Sequence, residues 1–300
     1  MFADCESCIR LGFDVDLQCA MSETADDQAR VARVLKTFDL AAGGYDGPAL
    51  GFFESISRKV VAVLTIHPKS QVLDVPCGTG HGMRAILDVL DADGTAVGID
   101  FSEPMLERAR TRIGSDPRAE FRLGDLRNLD DTPTGLDLVL CVFGIFFVPD
   151  MAKALRALWQ LVGPGGRLVV VTWAPNDMAP LKPIFMQRVH ELRPDLVPVH
   201  PRLHIAPTSS SIGMVALFQD AGITAAIEFV DIDHNQSILT PDTWWEIVMG
   251  SGLRIHVDAM TSSEVADLRA VCDTAVRGDS ITSVSCDALM TVVTRPSTTD

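Results

Sequence analysis

Three carboxylates in the first half of the chain stand at or just beyond the ends of apolar runs. They are Asp74 after Val72-Leu73, Asp100 after Ala96-Val97-Gly98-Ile99, and Asp125 after Phe121-Arg122-Leu123-Gly124. Beyond Asp74 comes Val75-Pro76-Cys77-Gly78-Thr79-Gly80, and then Met83, Ile86, Leu87 and Leu90 at helical spacing. A strand running into a glycine turn and a helix is the ligand corner of an open α/β sheet. Glycines there clear side chains from a ligand's path, and the helix start offers unpaired N–H groups. Asp100 follows the glycines by about 20 residues, the position from which a carboxylate accepts hydrogen bonds from both hydroxyls of a ribose. A dinucleotide fingerprint would place its third glycine at position 83, which is Met83, and a phosphate loop would need a lysine after the glycines. Neither pattern is met.

Asp74-Val75-Pro76-Cys77-Gly78-Thr79-Gly80 resembles motif I of the class I methyltransferases, D-x-x-C-G-T-G, with Pro76 where Ala or Gly is more usual. The run Asp100 to Arg110 resembles the D-x-S-x-x-M-L-x-x-A-R segment of the same enzymes, and Ser102 reads as an N-cap. The resemblance covers the chain from Val72 to Trp173 and implies S-adenosylmethionine as cofactor. It further implies Met105 near the adenine and Asp125 on the adenine amino group. The cofactor contacts expected on this basis are Tyr45, Asp74, Cys77, Gly78, Gly80, Asp100, Phe101, Met105, Asp125, Leu126, Cys141 and Phe143. Residues 42–46, Ala-Gly-Gly-Tyr-Asp, are similar to an A-x-x-Y-D turn that folds over the cofactor mouth in methyltransferases of ubiquinone biosynthesis. By the same resemblance the fold is α/β, a doubly wound, mostly parallel seven-stranded sheet with its last strand antiparallel and with helical lid elements.

Methyl transfer is a direct displacement, so positioning carries most of the catalysis. A hydroxyl acceptor would use a general base, usually histidine. His81, His200, His204 and His234 sit in no motif that names a role, and the catalytic residue stays unassigned. Phe146, Phe147, Trp173, His204 and Trp244 are the substrate-lining residues expected. Core packing competes with that role for the aromatic ones, as for Trp245.

The elements that must hold these residues follow from patterning. Val31, Val34, Leu35 and Phe38 make a helical stripe. Strands are expected at 72–74, 96–100, 121–126, 137–144, 163–171, 223–232 and 288–294. Seven prolines between Pro175 and Pro207 break the segment after Trp173, with one helix expected at 184–192. A helix at 214–221 closes at Gly222, Thr240-Pro241 starts another, and Thr261-Ser262-Ser263-Glu264 is a capping box. The division expected is an extension at 1–25, disordered, and a methyltransferase domain at 26–300. Within it lie a cofactor core at 60–173, a lid insertion at 174–210 and a C-terminal part at 211–300. The lid and residues 31–45 are expected to close over the site and select the acceptor.

Composition sets limits. The chain has 300 residues, a net charge of −15 and 47% hydrophobic residues. Phosphate backbones demand basic patches, so no nucleic-acid partner is expected. No apolar run is long enough to span a bilayer, and the amino terminus does not read as a signal peptide. Seven cysteines, several in apolar strands, suit reduced thiols and a cytoplasmic protein. Cys5 and Cys8 have no second pair at ligand spacing, so no metal is expected. The expectation is an enzyme that methylates a small, aromatic or apolar acceptor at O, N or C. A protein methyltransferase and a catalytically silent S-adenosylmethionine-binding scaffold or sensor are the alternatives. The oligomeric state is not legible.

Overall fold

A computed structural model describes residues 25–196 and 205–297. The expected extension, Cys5, Cys8, His200 and His204 lie outside those residues or, for the extension, almost entirely so.

The chain opens with α1 (Ala25–Ala41) and α2 (Phe52–Val63). It then alternates through β1 (Gln71–Asp74), α3 (His81–Leu87), β2 (Thr95–Asp100), α4 (Glu103–Ile113), β3 (Ala119–Leu123), β4 (Leu136–Val142), α5 (Met151–Leu161) and β5 (Val162–Trp173). Helices α6 (Leu181–Leu192), α7 (Ile205–Thr208) and α8 (Ser211–Asp220) lead to β6 (Ile227–Ile232) and β7 (Asn235–Ser237). After them come α9 (Pro241–Met249), α10 (Arg254–Val257), α11 (Ser262–Gly278), β8 (Ser283–Ser285) and β9 (Ala288–Thr294).

Seven strands form one sheet in the order β3-β2-β1-β4-β5-β9-β6. The pairs β3·β2, β2·β1, β1·β4 and β4·β5 are parallel, and β9 runs antiparallel to both β5 and β6. The mostly parallel sheet with one antiparallel strand is the architecture expected. Its central strands are apolar on both faces because helices cover both: Leu138, Val139, Leu140 and Cys141 of β4 and Leu168 to Val171 of β5 are all buried. Ser102 caps α4, and Thr240 and Thr261 each make a capping box on α9 and α11.

Two departures have local causes. The strand expected at 223–232 starts only at Ile227. Gly222 takes φ +74° and the Ile223 N–H returns to the Phe218 carbonyl at 2.9 Å, so residue 223 completes the end of α8 instead of joining a ladder. A two-stranded β7·β8 ribbon was not expected, since three polar residues carry no alternation to read. No helix among the described residues is long and apolar enough to cross a membrane.

Candidate functional site

The strand order reverses between β1 and β4, which start in opposite directions from the centre of the sheet. Open α/β sheets bind ligands beyond the carboxyl ends of their strands at that point. A cavity of about 610 Å³ opens there. Its floor is Val75, Pro76 and Gly78 after β1, Ile99 to Phe101 at the end of β2, Gly124 to Arg127 after β3, Phe143, Gly144, Phe146 and Phe147 after β4 and Trp173 at the end of β5. Its roof is α1 together with residues from 177–196 and 251–256.

The glycine turn shapes the floor. Gly78 adopts φ +53°, and a Cβ built on it would meet nothing within 4 Å, so the space over the turn is open to a ligand. The Gly78 N–H donates to Asp100 Oδ2 at 2.8 Å, and the Ser102 N–H donates to Asp100 Oδ1 at 2.9 Å. Asp100 is only 4% exposed. Burial pushes its carboxyl up to about 6, against the pull of the Ser102, Gly78 and Phe101 amides. Asp74, buried behind the turn, is pushed up to about 8 by burial and by the Asp100 charge, with one compensating bond from the Met83 N–H.

A second anchor lies at the mouth. Asp46, in the turn after α1, accepts from Thr79 Oγ1 at 2.6 Å and from Arg112 at 2.7 Å, and lies 3.1 Å from His81 Nε2. Arg108 reaches the Gly43 carbonyl at 3.0 Å. Burial alone would raise the Asp46 carboxyl, but His81, Thr79 and the Arg112 charge hold it down to about 2. Further along α1, Ser102 Oγ donates to Asp39 at 2.6 Å. These bonds pin the end of α1 and the Tyr45 turn to the glycine turn and to α4.

Aromatic rings close the middle of the cavity. Phe143 sits at φ +53°, a backbone region uncommon for a bulky residue, and its ring stacks on Trp173 with centroids 3.9 Å apart. Tyr45 stacks on Phe53 at 4.4 Å. Burial, with the Asp100 and Asp46 charges, raises the Tyr45 phenol well above its ordinary value, so it remains a hydroxyl.

Of the expected residues, Tyr45, Gly78, Asp100, Phe101, Met105, Asp125, Leu126, Phe143, Phe146, Phe147 and Trp173 line this one cavity. Asp74, Cys77, Gly80 and Cys141 do not; they lie behind the turn and shape it. Gly80, at φ +84°, starts α3 against Ala109, and Asp74 bonds the first turn of that helix. Trp244 lies apart from this cavity. It is 1% exposed, packs edge-on to Phe185 at 6.2 Å and lies in the core, where its large apolar area is worth most. Arg30, Lys182 and His256 line the cavity and were not expected there. His256 belongs to a four-residue helix, too short for any periodicity to mark. Asp125 is itself engaged, accepting the Arg127 side chain at 2.6 Å.

A sheet in this order with its cavity over the switch point defines a ligand-binding doubly wound α/β protein. Residues 72–166 match the methyltransferase-domain family model. A demethylmenaquinone methyltransferase of Lactiplantibacillus plantarum is 32% identical over 155 residues, 49% of this chain and 65% of that protein. The Staphylococcus epidermidis protein of the same name is 30% identical over 167 residues, 54% of this chain and 68% of that protein. The chain thus spans about two thirds of the length of the curated relatives it matches. Two solved structures share the fold. One is a methyltransferase of Bacillus halodurans at TM-score 0.54 and 17% identity, covering 81% of this chain and 100% of that one. The other is a methyltransferase from an antibiotic biosynthesis pathway of Anabaena variabilis at TM-score 0.57 and 13% identity, covering 80% and 96%. The chain belongs to the class I S-adenosylmethionine-dependent methyltransferases.

Proposed function

We propose that the floor of the cavity holds S-adenosylmethionine and that the roofed lobe between α1, residues 177–196 and residues 251–256 receives an apolar, aromatic-bodied acceptor. The observation that carries this reading is the continuity of the two regions in one cavity, with the Phe143–Trp173 stack between them. The residues present fit the cofactor: open space over Gly78, a buried strand-end carboxylate in Asp100 and a second acid in Asp125. In this reading Asp100 accepts the ribose hydroxyls and Met105, Phe101 and Leu126 flank the adenine.

Bound there, S-adenosylmethionine supplies a methyl group on a positively charged sulfur. The aromatic faces of Phe143, Trp173 and Tyr45 attract such a cation by about 0.5–2 kcal/mol each. Val75, Pro76 and Phe146 keep water from the line of displacement, and the clamped α1 holds the acceptor at that line. The relatives are, by name, demethylmenaquinone methyltransferases, and an acceptor of that kind agrees with the apolar lining of Val34, Phe38, Phe147 and Leu253. A cytoplasmic enzyme without a nucleic-acid partner fits the acidic chain.

Incubating the protein with S-adenosylmethionine and a panel of quinols, phenols and peptides tests this directly. S-adenosylhomocysteine release is expected with apolar aromatic acceptors and not with histone peptides; release with peptides alone overturns the reading. A pH series gives a second result. Asp100 must be ionised to accept two hydroxyl donors at full strength, and its folded carboxyl titrates at about 6. Affinity for S-adenosylhomocysteine should therefore rise between about pH 5 and pH 7. A flat calorimetric profile across that window would separate Asp100 from the ribose.

A further inference from the structure

The roofed lobe is apolar except at the end remote from the glycine turn, and that end carries positive charge. Arg30 of α1 lines the cavity and is 7% exposed. One of its terminal nitrogens reaches the Val148 carbonyl at 3.4 Å, while its buried Nε has no hydrogen-bond partner among the described residues. A buried guanidinium N–H left without an acceptor is costly, and native proteins rarely leave one so. Arg33, one turn on, and Lys182 line the same region, beside His256. Lys182 is paired with Asp177, and Asp27 lies near Arg30. Three cations thus face two carboxylates in a chain whose overall charge is −15. His256 adds no further positive charge: burial, with Lys182 and Arg33 beside it, holds the imidazole down to about 4, so it is neutral at physiological pH.

Position along α1 separates this group from the chemistry. Asp39, nine residues after Arg30, is bonded to Ser102 beside Asp100. At 1.5 Å per residue Arg30 and Asp39 lie about 13 Å apart along the helix axis. An anion seated at Arg30 is therefore a handle at the far end of the acceptor rather than the atom that takes the methyl group.

We infer that the acceptor carries an anionic group, a carboxylate or an equivalent acid, which accepts from Arg30 Nε at the remote end of the lobe while its apolar body reaches back to Phe143. The inference rests on the reading that this lobe receives the acceptor. It accounts for the unpartnered nitrogen, for the excess of cations and for the apolar stretch of Val34, Phe38 and Phe147 between the two ends.

The test uses the full chain saturated with S-adenosylhomocysteine, titrated with ω-(4-hydroxyphenyl)alkanoic acids of increasing chain length and with their methyl esters. The acids of best-fitting length should bind at least tenfold more tightly than their esters. Arg30→Met should remove that difference, and Arg30→Lys should retain part of it. S-adenosylhomocysteine affinity, measured first, reports that each variant is folded. Should Arg30→Met not fold, the acid-to-ester ratio on the unmodified protein still decides the matter, with Arg33→Gln expected to reduce it. Equal binding of acids and esters would overturn the anion site and leave the acceptor lobe standing. Failure of every acid and ester to bind would overturn both.

Discussion

Asp100→Ala is expected to weaken S-adenosylhomocysteine binding by about 2–4 kcal/mol, thirtyfold or more, while changing the stability of the free protein little at pH 7. The binding loss is that of two hydrogen bonds from ribose hydroxyls to a charged acceptor. The stability result comes from two opposing effects of similar size. Removing the carboxylate strands the Gly78 and Ser102 amides, each now bonded at 2.8–2.9 Å, at about 1–3 kcal/mol apiece. It also relieves the folded state of an ionised group held in a buried place. The shift of the carboxyl to about 6 corresponds to about 3 kcal/mol at neutral pH. The sign can be checked by lowering the pH. A carboxyl raised in the folded state contributes stability that is full below its unfolded value and is lost as pH rises through about 6. At pH 5 the native side chain is largely protonated and the relief falls to about half its value at pH 7, so Asp100→Ala should be more destabilising there than at pH 7. Chemical denaturation at the two pH values, with calorimetric titration of S-adenosylhomocysteine, makes the measurement. Unchanged affinity in a folded variant would take Asp100 out of the cofactor site.

The burial of Asp100 marks where sequence stops being informative. The central strands were legible because buried parallel strands are short apolar runs, and the ends of β1, β2 and β3 were legible because an acid closes the run or a glycine follows it. Asp100 could thus be placed at a strand end from the sequence, but its burial could not. The depth of that end depends on α1, whose Asp39 reaches Ser102 across 63 residues of sequence. The burial of Trp244 was illegible for a related reason: an aromatic residue on a helix reads the same whether it faces a cavity or the core. Residues 251–256 left no pattern at all, since a single helical turn between glycine and loop has no period. Their place in the roof comes from the packing of α10 on α1. Arg30 sits on a helix whose apolar stripe was read correctly, yet a lone cation on a helix flank looks like a solvated charge until the opposite wall is known.

Asp46→Ala should free the mouth of the cavity, lowering stability by about 2–3 kcal/mol and slowing turnover more than it weakens cofactor binding. In sequence Asp46 only follows a tyrosine; in the fold it collects Thr79, His81, Arg108 and Arg112, side chains from 33 to 66 residues away. Taking one member from a half-buried ionic cluster leaves the others uncompensated, and Arg112 stays tied to the Thr79 carbonyl with no carboxylate beside it. The cost stays below the 3–5 kcal/mol of a fully buried pair because the Asp46 side chain keeps 24% of its surface in solvent. The effect on turnover follows from what the clamp holds. Tyr45 precedes Asp46 and is stacked on Phe53 beside the Phe143–Trp173 pair, so loosening the turn loosens the aromatic wall around the reacting centre. Loss of alignment at that wall appears in kcat, whereas the ribose contacts of Asp100 sustain cofactor affinity. Acid should reproduce the stability effect in the unmodified protein. A carboxyl held down to about 2 contributes stability present above its unfolded value near 3.8 and lost as pH falls toward 2. In Asp46→Asn that part of the acid transition should be missing. A variant as stable as the parent at pH 7, with the same acid profile and an unchanged kcat, would show that the cluster decorates the mouth and does not hold it.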